Sequence, residues 1–183
     1  MGDFTLVMSE EERAYLHQLV RSRIEAKLHK RRDETLPPPQ GVLHEKLGAF
    51  VTLKKNGQLR GCIGNLTGTG PLYQTVGAMA EAAAFGDRRF PPVDLAESAN
   101  LATEISVMGP VLPCPALDAV EIGRHGLIVR RGPNQGLLLP QVPVEWGWNR
   151  ETFIAQTCRK AGFSPDVWKD EKTVWYWFEA FVI

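Results

Sequence analysis

The sequence predicts an α+β fold in which helices flank a mostly antiparallel sheet. Three observations support this prediction: an amphipathic helix at 9–30, a hairpin signal at 50–63, and an alternating strand at 101–108. A hairpin joins two neighbouring antiparallel strands, so the hairpin signals favour antiparallel pairing. These local patterns predict a chain with both helices and strands.

Length and composition limit the class of protein. The 183 residues fit one large domain or two tightly joined lobes, and we treat 1–183 as a single domain. Hydrophobic residues make up 44% and charged residues 23%, as in ordinary globular proteins. The 21 Lys and Arg residues equal the 21 Asp and Glu residues, so no basic field favours a nucleic-acid partner.

The cysteines indicate a reducing compartment. Cys62, Cys114 and Cys158 are an odd number without metal-ligand spacing, which fits free thiols better than disulfides or a zinc site. Met1–Leu6 lacks the features of a signal peptide, and no apolar run reaches membrane-spanning length. We therefore expect a cytoplasmic protein without a metal, a cofactor or a membrane partner.

The first predicted element is a long helix. Ser9 and Glu12 have the spacing of a capping box, and apolar residues then recur at helical spacing as far as Leu28. The helix should span about 9–30. Pro37–Gly41 cannot continue it, and is predicted to be a stiff connector into the next lobe, where the sheet begins.

The strongest hairpin signal is Asn56-Gly57, which lies between runs of strand-forming residues at 50–55 and 58–63. This dipeptide readily supplies the two positive φ angles of a type I′ turn. The remaining predicted elements are a helix from Gly70-Pro71 to Phe85-Gly86, a strand at Leu101–Met108, a hairpin of 127–131 and 136–139 joined across 132–135, a helix from Asn149 to Gly162, and a central, buried strand at Val174–Ile183.

Cys62 is the leading candidate for chemistry. A two-residue hairpin loop would pair Leu53 with Arg60 and Val51 with Cys62, so that Arg60 and Cys62 share one face. A nearby guanidinium favours the thiolate, which is the nucleophilic form of cysteine. The pattern therefore predicts a reactive thiol.

The glycines around Cys62 support the same interpretation. Gly61 and Gly64 bracket the cysteine, and glycine within a strand often marks a bulge or a place where a ligand approaches. The alternative is that Cys62 is a small buried hydrophobe in a bent strand. The pattern leaves both interpretations open.

Five further polar residues could line a site. Asp87 and Arg88 lie in a helix-to-loop transition, where they could line a pocket; alternatively, Asp87 caps local backbone groups and the arginine is solvated. Glu104 and Ser106 occupy the polar face of a strand that borders either a cleft or water. His125, at a predicted turn, is the best-placed histidine for proton transfer, although a lone turn histidine is usually structural.

Several blocks of sequence resemble one known family. Leu59-Arg60-Gly61-Cys62-Ile63-Gly64 resembles the signature hexapeptide of the AMMECR family, the A component of the AmmeMemoRadiSam system. The agreeing blocks in family order are Phe85–Val93, Glu104–Val107, a strand at Gly136–Val142, and Cys158–Gly162. The resemblance covers nearly the whole chain.

The resemblance implies a fold and partners. It implies two α+β lobes with a groove between them, at which these residues would gather: Arg60, Cys62, Asp87, Arg88, Glu104, His125 and Gln141. The family is named for genetic association with a Memo-like protein and a radical S-adenosylmethionine enzyme, which are therefore the implied partners. The family's molecular activity is unassigned.

Two hypotheses of function follow. In the first, the chain is an enzyme or enzyme component that acts on an unknown small molecule or peptide, with Cys62 as nucleophile, Arg60 binding an anionic group, and Glu104 or His125 moving protons. In the second, it is a binding or adaptor module for a protein partner. Trp146 and Trp148 would suit such an interface.

Overall fold

The computed structural model describes residues 6–183. The prediction that the N-terminal residues are not a signal peptide concerns mostly residues 1–5, which lie outside the described residues. The chain forms two compact units. One comprises the residues up to Met108 together with Phe181–Ile183, and the other comprises Gly109–Ala180. No helix among residues 6–183 is long and apolar enough to span a membrane.

The first unit contains a three-stranded antiparallel sheet with helices. Its elements in chain order are α1 (Glu10–Leu28), β1 (Gly48–Lys55), β2 (Gln58–Asn65), α2 (Leu72–Phe85), α3 (Leu95–Ser98) and β3 (Leu101–Met108). β1 pairs with both β2 and β3, which leaves β2 as an edge strand. The C-terminal Ile183 exchanges backbone hydrogen bonds with Ile105 of β3. The predicted α+β class with an antiparallel sheet is confirmed.

One face of this sheet carries the core of the first unit. The buried side chains of α1, β1, α2 and β3 include Leu16, Val20, Val51, Leu53, Val76, Ala80, Ile105 and Val107. Because α1 packs into this core, residues 37–41 connect two elements of the same unit. The prediction that this connector leads into another lobe is wrong, since the unit boundary falls at Met108.

The local signals in this unit are confirmed. Ser9 caps α1, and its side chain and that of Glu12 each accept a hydrogen bond from the other's backbone N–H. Asn56 and Gly57 have φ angles of 51° and 77°, as a type I′ turn requires. Both predictions are confirmed, because each feature depends only on hydrogen bonds or backbone preferences of residues close together in the sequence.

The second unit is also antiparallel. Its elements are β4 (Leu112–Pro113), β5 (His125–Arg131), β6 (Asn134–Leu138), α4 (Gln141–Glu145), α5 (Arg150–Lys160) and β7 (Val174–Val182), the last of which belongs to this unit as far as Ala180. β5 lies between β6 and β7, and β4 pairs with β7. Its core includes Leu127, Val129, Phe153, Cys158 and Trp175.

Three predictions for the second unit need correction. The β5–β6 loop is only Gly132–Pro133, because Gly132 has a φ of 58° and permits a tight turn. Gln141 begins α4 and does not continue a strand. In β7 only Trp175 and Phe178 are buried, so this strand is not enclosed on both faces as its apolar sequence suggested.

Candidate functional site

The site is shaped by a bulge in β2. Lys54 pairs with Leu59, but Leu53 pairs with Gly61, so Arg60 is an extra residue in the edge strand. The predicted pairing of Leu53 with Arg60 is wrong for this reason. The expectation that glycine here marks a bulge is confirmed.

Gly61, which follows the bulged Arg60, lies directly against a helix. A Cβ atom on Gly61 would lie 2.2 Å from the carbonyl oxygen of Ala83, because α2 packs directly against the strand. At Gly64, a Cβ atom would lie 2.2 Å from the ring of Phe50. The space beside both glycines is therefore filled by the protein itself, and their predicted role in ligand binding stays a prediction.

The bulge directs Arg60 toward α3. Its Nε atom donates to both carboxylate oxygens of Glu97 at 3.1 Å, and its Nη2 atom also donates to the carbonyl of Pro91 at 2.9 Å. Lys55 donates to the same carboxylate at 2.9 Å. Arg60 first, and Lys55 second, lower the pKa of Glu97 to about 2. Arg60 thus serves a buried ion pair, and the predicted sharing of one face by its guanidinium and the Cys62 thiol is wrong.

Cys62 lies opposite Thr52 of β1. The Thr52 hydroxyl donates to the Cys62 Sγ atom at 3.3 Å, and the thiol is half-buried. On its other side Thr52 pairs with Glu104 of β3. Because side chains alternate along strands, these three residues form a row on the face opposite Val51. The sulfur therefore contacts a polar group and is not sealed among aliphatic side chains.

The backbone of Cys62 is held by an Asp–Arg pair, which we call the Asp87–Arg89 clamp. The Cys62 N–H donates to Asp87 Oδ2 at 2.9 Å, and Arg89 Nη2 donates to the Cys62 carbonyl at 3.3 Å. Arg89 also donates to Asp87 through Nε at 2.9 Å and Nη2 at 2.6 Å. The clamp thereby satisfies both backbone groups that Cys62 directs away from β1 at the sheet edge.

The clamp also fixes the charge of Asp87. The hydrogen bonds from Arg89, and then those from the backbone of Cys62 and Arg89, lower the pKa of Asp87 although burial opposes them. In turn, Asp87 first, and more weakly attraction to Cys62, raise the pKa of Arg89. The interpretation of Asp87 as a cap for backbone groups fits these contacts. Arg88 next to it is exposed.

The two polar residues of β3 differ in environment. Glu104 forms an ion pair with Lys54 at 2.8 Å, and its side chain is 26% exposed. Ser106 is only 1% exposed and pairs with Phe50 of β1. Of the two alternatives for this face, exposure to water does not apply at Ser106, because the side chain is buried there.

His125 and Gln141 belong to the second unit. His125 is the first residue of β5 and is buried, with its Nδ1 atom accepting from the Glu121 N–H at 3.0 Å. Its neutral form consequently carries the proton on Nε2, which lies 3.9 Å from Glu179 Oε1. The ring stacks on Trp177 with centroids 4.2 Å apart. Gln141 is half-buried at the start of α4.

Three residues around Cys62 were missed in the sequence. Thr52 and Glu97 could be recognised only after the bulge and the position of α3 were known. Arg89 carried a local signal, because an Asp-x-Arg sequence can place the two charges beside each other. Across residues 6–183, no cluster of three or more His, Cys, Asp or Glu side chains could hold a metal ion.

The other two cysteines provide a contrast. Cys114 is half-buried and donates to the carbonyl of Ala116 at 3.4 Å, and burial raises the pKa of its thiol. Cys158 is fully buried in the core of the second unit, and burial raises its pKa also. Neither of these thiols accepts a side-chain hydrogen bond among the described residues.

The fold and this edge-strand thiol define an α+β protein with a clamped cysteine on a bulged hairpin. The chain belongs to the AMMECR1 family, whose family model matches residues 17–183. The resemblance to the AMMECR family noted in the sequence is thus confirmed.

Its relatives include several archaeal proteins. Protein PH0010 of Pyrococcus horikoshii is 44% identical over 189 residues, with 94% of this chain and 89% of that protein covered. Protein MK0488 of Methanopyrus kandleri is 44% identical over 179 residues, with 93% and 86% covered. The crystal structure of uncharacterized Protein PH0010 has a TM-score of 0.83 at 43% identity, and covers 94% of this chain and 89% of its own.

Proposed function

We propose that this protein is an enzyme or an enzyme component whose reactive group is the Cys62 thiolate. The observation that carries the proposal is the hydrogen bond from Thr52 to the Cys62 sulfur. A hydroxyl that donates to sulfur favours the anionic, nucleophilic form. A cysteine that served only as a small hydrophobe would not need this partner.

The surrounding residues have assignable roles in this proposal. The Asp87–Arg89 clamp fixes the backbone of Cys62, which reduces the freedom of the sulfur relative to a bound substrate. The sulfur supplies the electron pair of a new bond to an electrophilic carbon. The thiol proton passes beforehand to a carboxylate, for which Glu104 is the candidate. As the bond to carbon forms, one electron pair of the carbon–oxygen double bond moves onto the substrate oxygen.

The native protein contains its own control for a test. Cys62 and Cys114 are both half-buried, but only Cys62 has a hydroxyl donor. We expect iodoacetamide at pH 7 to label Cys62 about tenfold faster than Cys114, as a hydrogen bond to a charged group can supply the necessary 1–2 kcal/mol. Peptide mass spectrometry would give both rates in one sample. Labelling of Cys62 no faster than that of Cys114 would contradict the proposal.

An adaptor function is the second candidate, and one feature of the second unit favours it. Trp146 is 70% exposed beside Val144, which is 58% exposed, and the Trp146 ring stacks on Trp148 at 6.1 Å. Exposed aromatic side chains suit protein interfaces. By family resemblance, the partners proposed are a Memo-like protein and a radical S-adenosylmethionine enzyme.

This alternative has a separate test. Co-expression with tagged Memo-like and radical S-adenosylmethionine proteins of the same organism should recover the wild-type chain, and Trp146→Ser should weaken recovery. Leu36→Ser is the control, since Leu36 is similarly exposed, at 74%, in the first unit. Equal recovery of both variants would exclude this surface. We also propose a cytoplasmic location, which suits three free cysteines.

A further inference from the structure

The residues around Cys62 carry more positive than negative charge. The cations are Lys54, Lys55, Arg60, Arg88 and Arg89, and the carboxylates are Asp87, Glu97 and Glu104. The whole chain, in contrast, has equal numbers of both signs. Among these eight residues the cations exceed the carboxylates by two.

Ion pairs do not neutralise all of the positive charge of these residues. Arg60 and Lys55 share one carboxylate, Glu97, within hydrogen-bond distance. Arg88 is exposed and forms no hydrogen bond or ion pair within residues 6–183. One guanidinium is therefore available beside the clamp without the cost of breaking an existing interaction.

Arg89 is oriented for a second anion. Asp87 engages its Nε and Nη2 atoms, while the Nη1 atom has no hydrogen-bond partner in the described structure. Its side chain is 55% exposed, and its guanidinium lies against the Phe90 ring, 5.5 Å from the ring centroid. A guanidinium held in place on one edge can donate from its other edge without losing further side-chain entropy.

We propose that Arg88 and Arg89 bind an oxyanion, a carboxylate or a phosphate, on the molecule that reacts at Cys62. The inference rests on the proposed function, since it names the substrate class of that thiol. Asp87 offsets the charge of Arg89, so Arg88 supplies most of the net attraction and Arg89 supplies directed hydrogen bonds. The arginine that the sequence assigned to this task, Arg60, is occupied by Glu97.

Two alkylating reagents of similar size test this proposal on the native protein. Iodoacetate carries a carboxylate and iodoacetamide is neutral; with both, the sulfur forms a bond to carbon and iodide leaves. We expect the rate ratio of iodoacetate to iodoacetamide to be about threefold higher at Cys62 than at Cys114, because an unpaired positive charge beside the reaction site attracts the carboxylate even in water. The excess should shrink as salt is raised.

Variants and competing anions complete the test. Arg88→Gln should lower the ratio at Cys62, whereas Arg32→Gln, at an exposed arginine beyond α1, should not. Acetate or phosphate should slow iodoacetamide labelling of Cys62, and the more effective of the two identifies the oxyanion. Equal ratios at both cysteines, or protection by neither anion, would overturn the inference while leaving the reactive thiol intact. If Cys62 resists both reagents at neutral pH, the proposed function itself fails.

Discussion

The β1–β2 and β5–β6 hairpins each place a glycine of the second strand against the C-terminal end of a helix. In the first, a Cβ atom on Gly61 would meet the carbonyl of Ala83; in the second, a Cβ atom on Gly136 would lie 2.5 Å from the N atom of Ala161. The first hairpin has a bulge at this point, whereas the second keeps its register from Leu127 to Arg131. Close helix packing alone therefore does not produce the bulge.

The two hairpins also differ in how their charges are used. Arg60 and Glu97 form a buried pair, with side chains 11% and 10% exposed. Arg131 and Asp170 form an ion pair with side chains 40% and 35% exposed. The buried ion pair holds Arg60 within the bulge. Cys62, whose backbone the clamp holds, lies two residues further along β2. The comparison indicates that charge is buried where a side chain must be positioned.

The largest effect is expected from breaking the buried pair. Arg60→Met should destabilise the protein by about 3–5 kcal/mol, because Glu97 would lose its main partner while remaining buried. Arg131→Met is the matched control, and should cost less than about 1 kcal/mol since that pair is largely solvated. Urea unfolding measures both. A similar loss in the two variants would show that burial of the first pair has no special importance.

The same pair should make stability depend on acid. The pKa of Glu97 falls from 4.5 to about 2 on folding, so its stabilisation is complete above about pH 4.5 and is lost as pH falls through about 2. The shift corresponds to about 3 kcal/mol. Glu97→Gln should accordingly flatten this part of the stability profile. If Glu97→Gln lost as much unfolding free energy in acid as the wild-type protein does, the loss would come from other carboxylates.

A smaller effect is expected at the two glycines. Gly61→Ala and Gly136→Ala should each cost about 2–3 kcal/mol, since a methyl group would overlap backbone atoms that cannot move freely. Gly70→Ala is the control, because its nearest neighbour is the flexible Gln74 side chain at 3.1 Å. Only Gly61→Ala should also change the alkylation rate of Cys62. An unchanged rate would show that the geometry of the bulge does not affect the reactivity of the Cys62 thiol.

The sequence predicted the features whose causes lie within a few residues. The Ser9 capping box, the Asn56-Gly57 turn and the Asn149 cap all form from local hydrogen bonds or backbone preferences, and all are present. The bulge at Arg60 could not be placed in this way. The extra residue, Arg60, is paired with Glu97, which is 37 residues away in sequence.

The candidate site likewise combines residues that the sequence could identify with contacts that only the fold reveals. Cys62 and Asp87 were recognised as polar or reactive residues in suitable segments. Their contact was not predictable, because a hydrogen bond across 25 residues requires α2 to return the chain to the edge of β2. Thr52 likewise became the partner of the sulfur through the one-residue shift of register.

The smallest effect, and the most direct test of the hairpin comparison, concerns Thr52. Thr52→Val keeps the shape of the side chain and removes the hydroxyl donor to the Cys62 sulfur, so the alkylation rate of Cys62 at pH 7 should fall about fivefold to tenfold. Cys114, whose thiol pKa is raised by burial in the other unit, should react at an unchanged slow rate in the same sample. The free energy of unfolding should change by less than about 1 kcal/mol, since the substitution conserves volume and removes a single weak hydrogen bond. A fall at both cysteines would indicate general loosening of the fold. No fall at Cys62 would mean that the hydroxyl contact does not control the sulfur, and that only the bulge and the clamp distinguish this hairpin from the other.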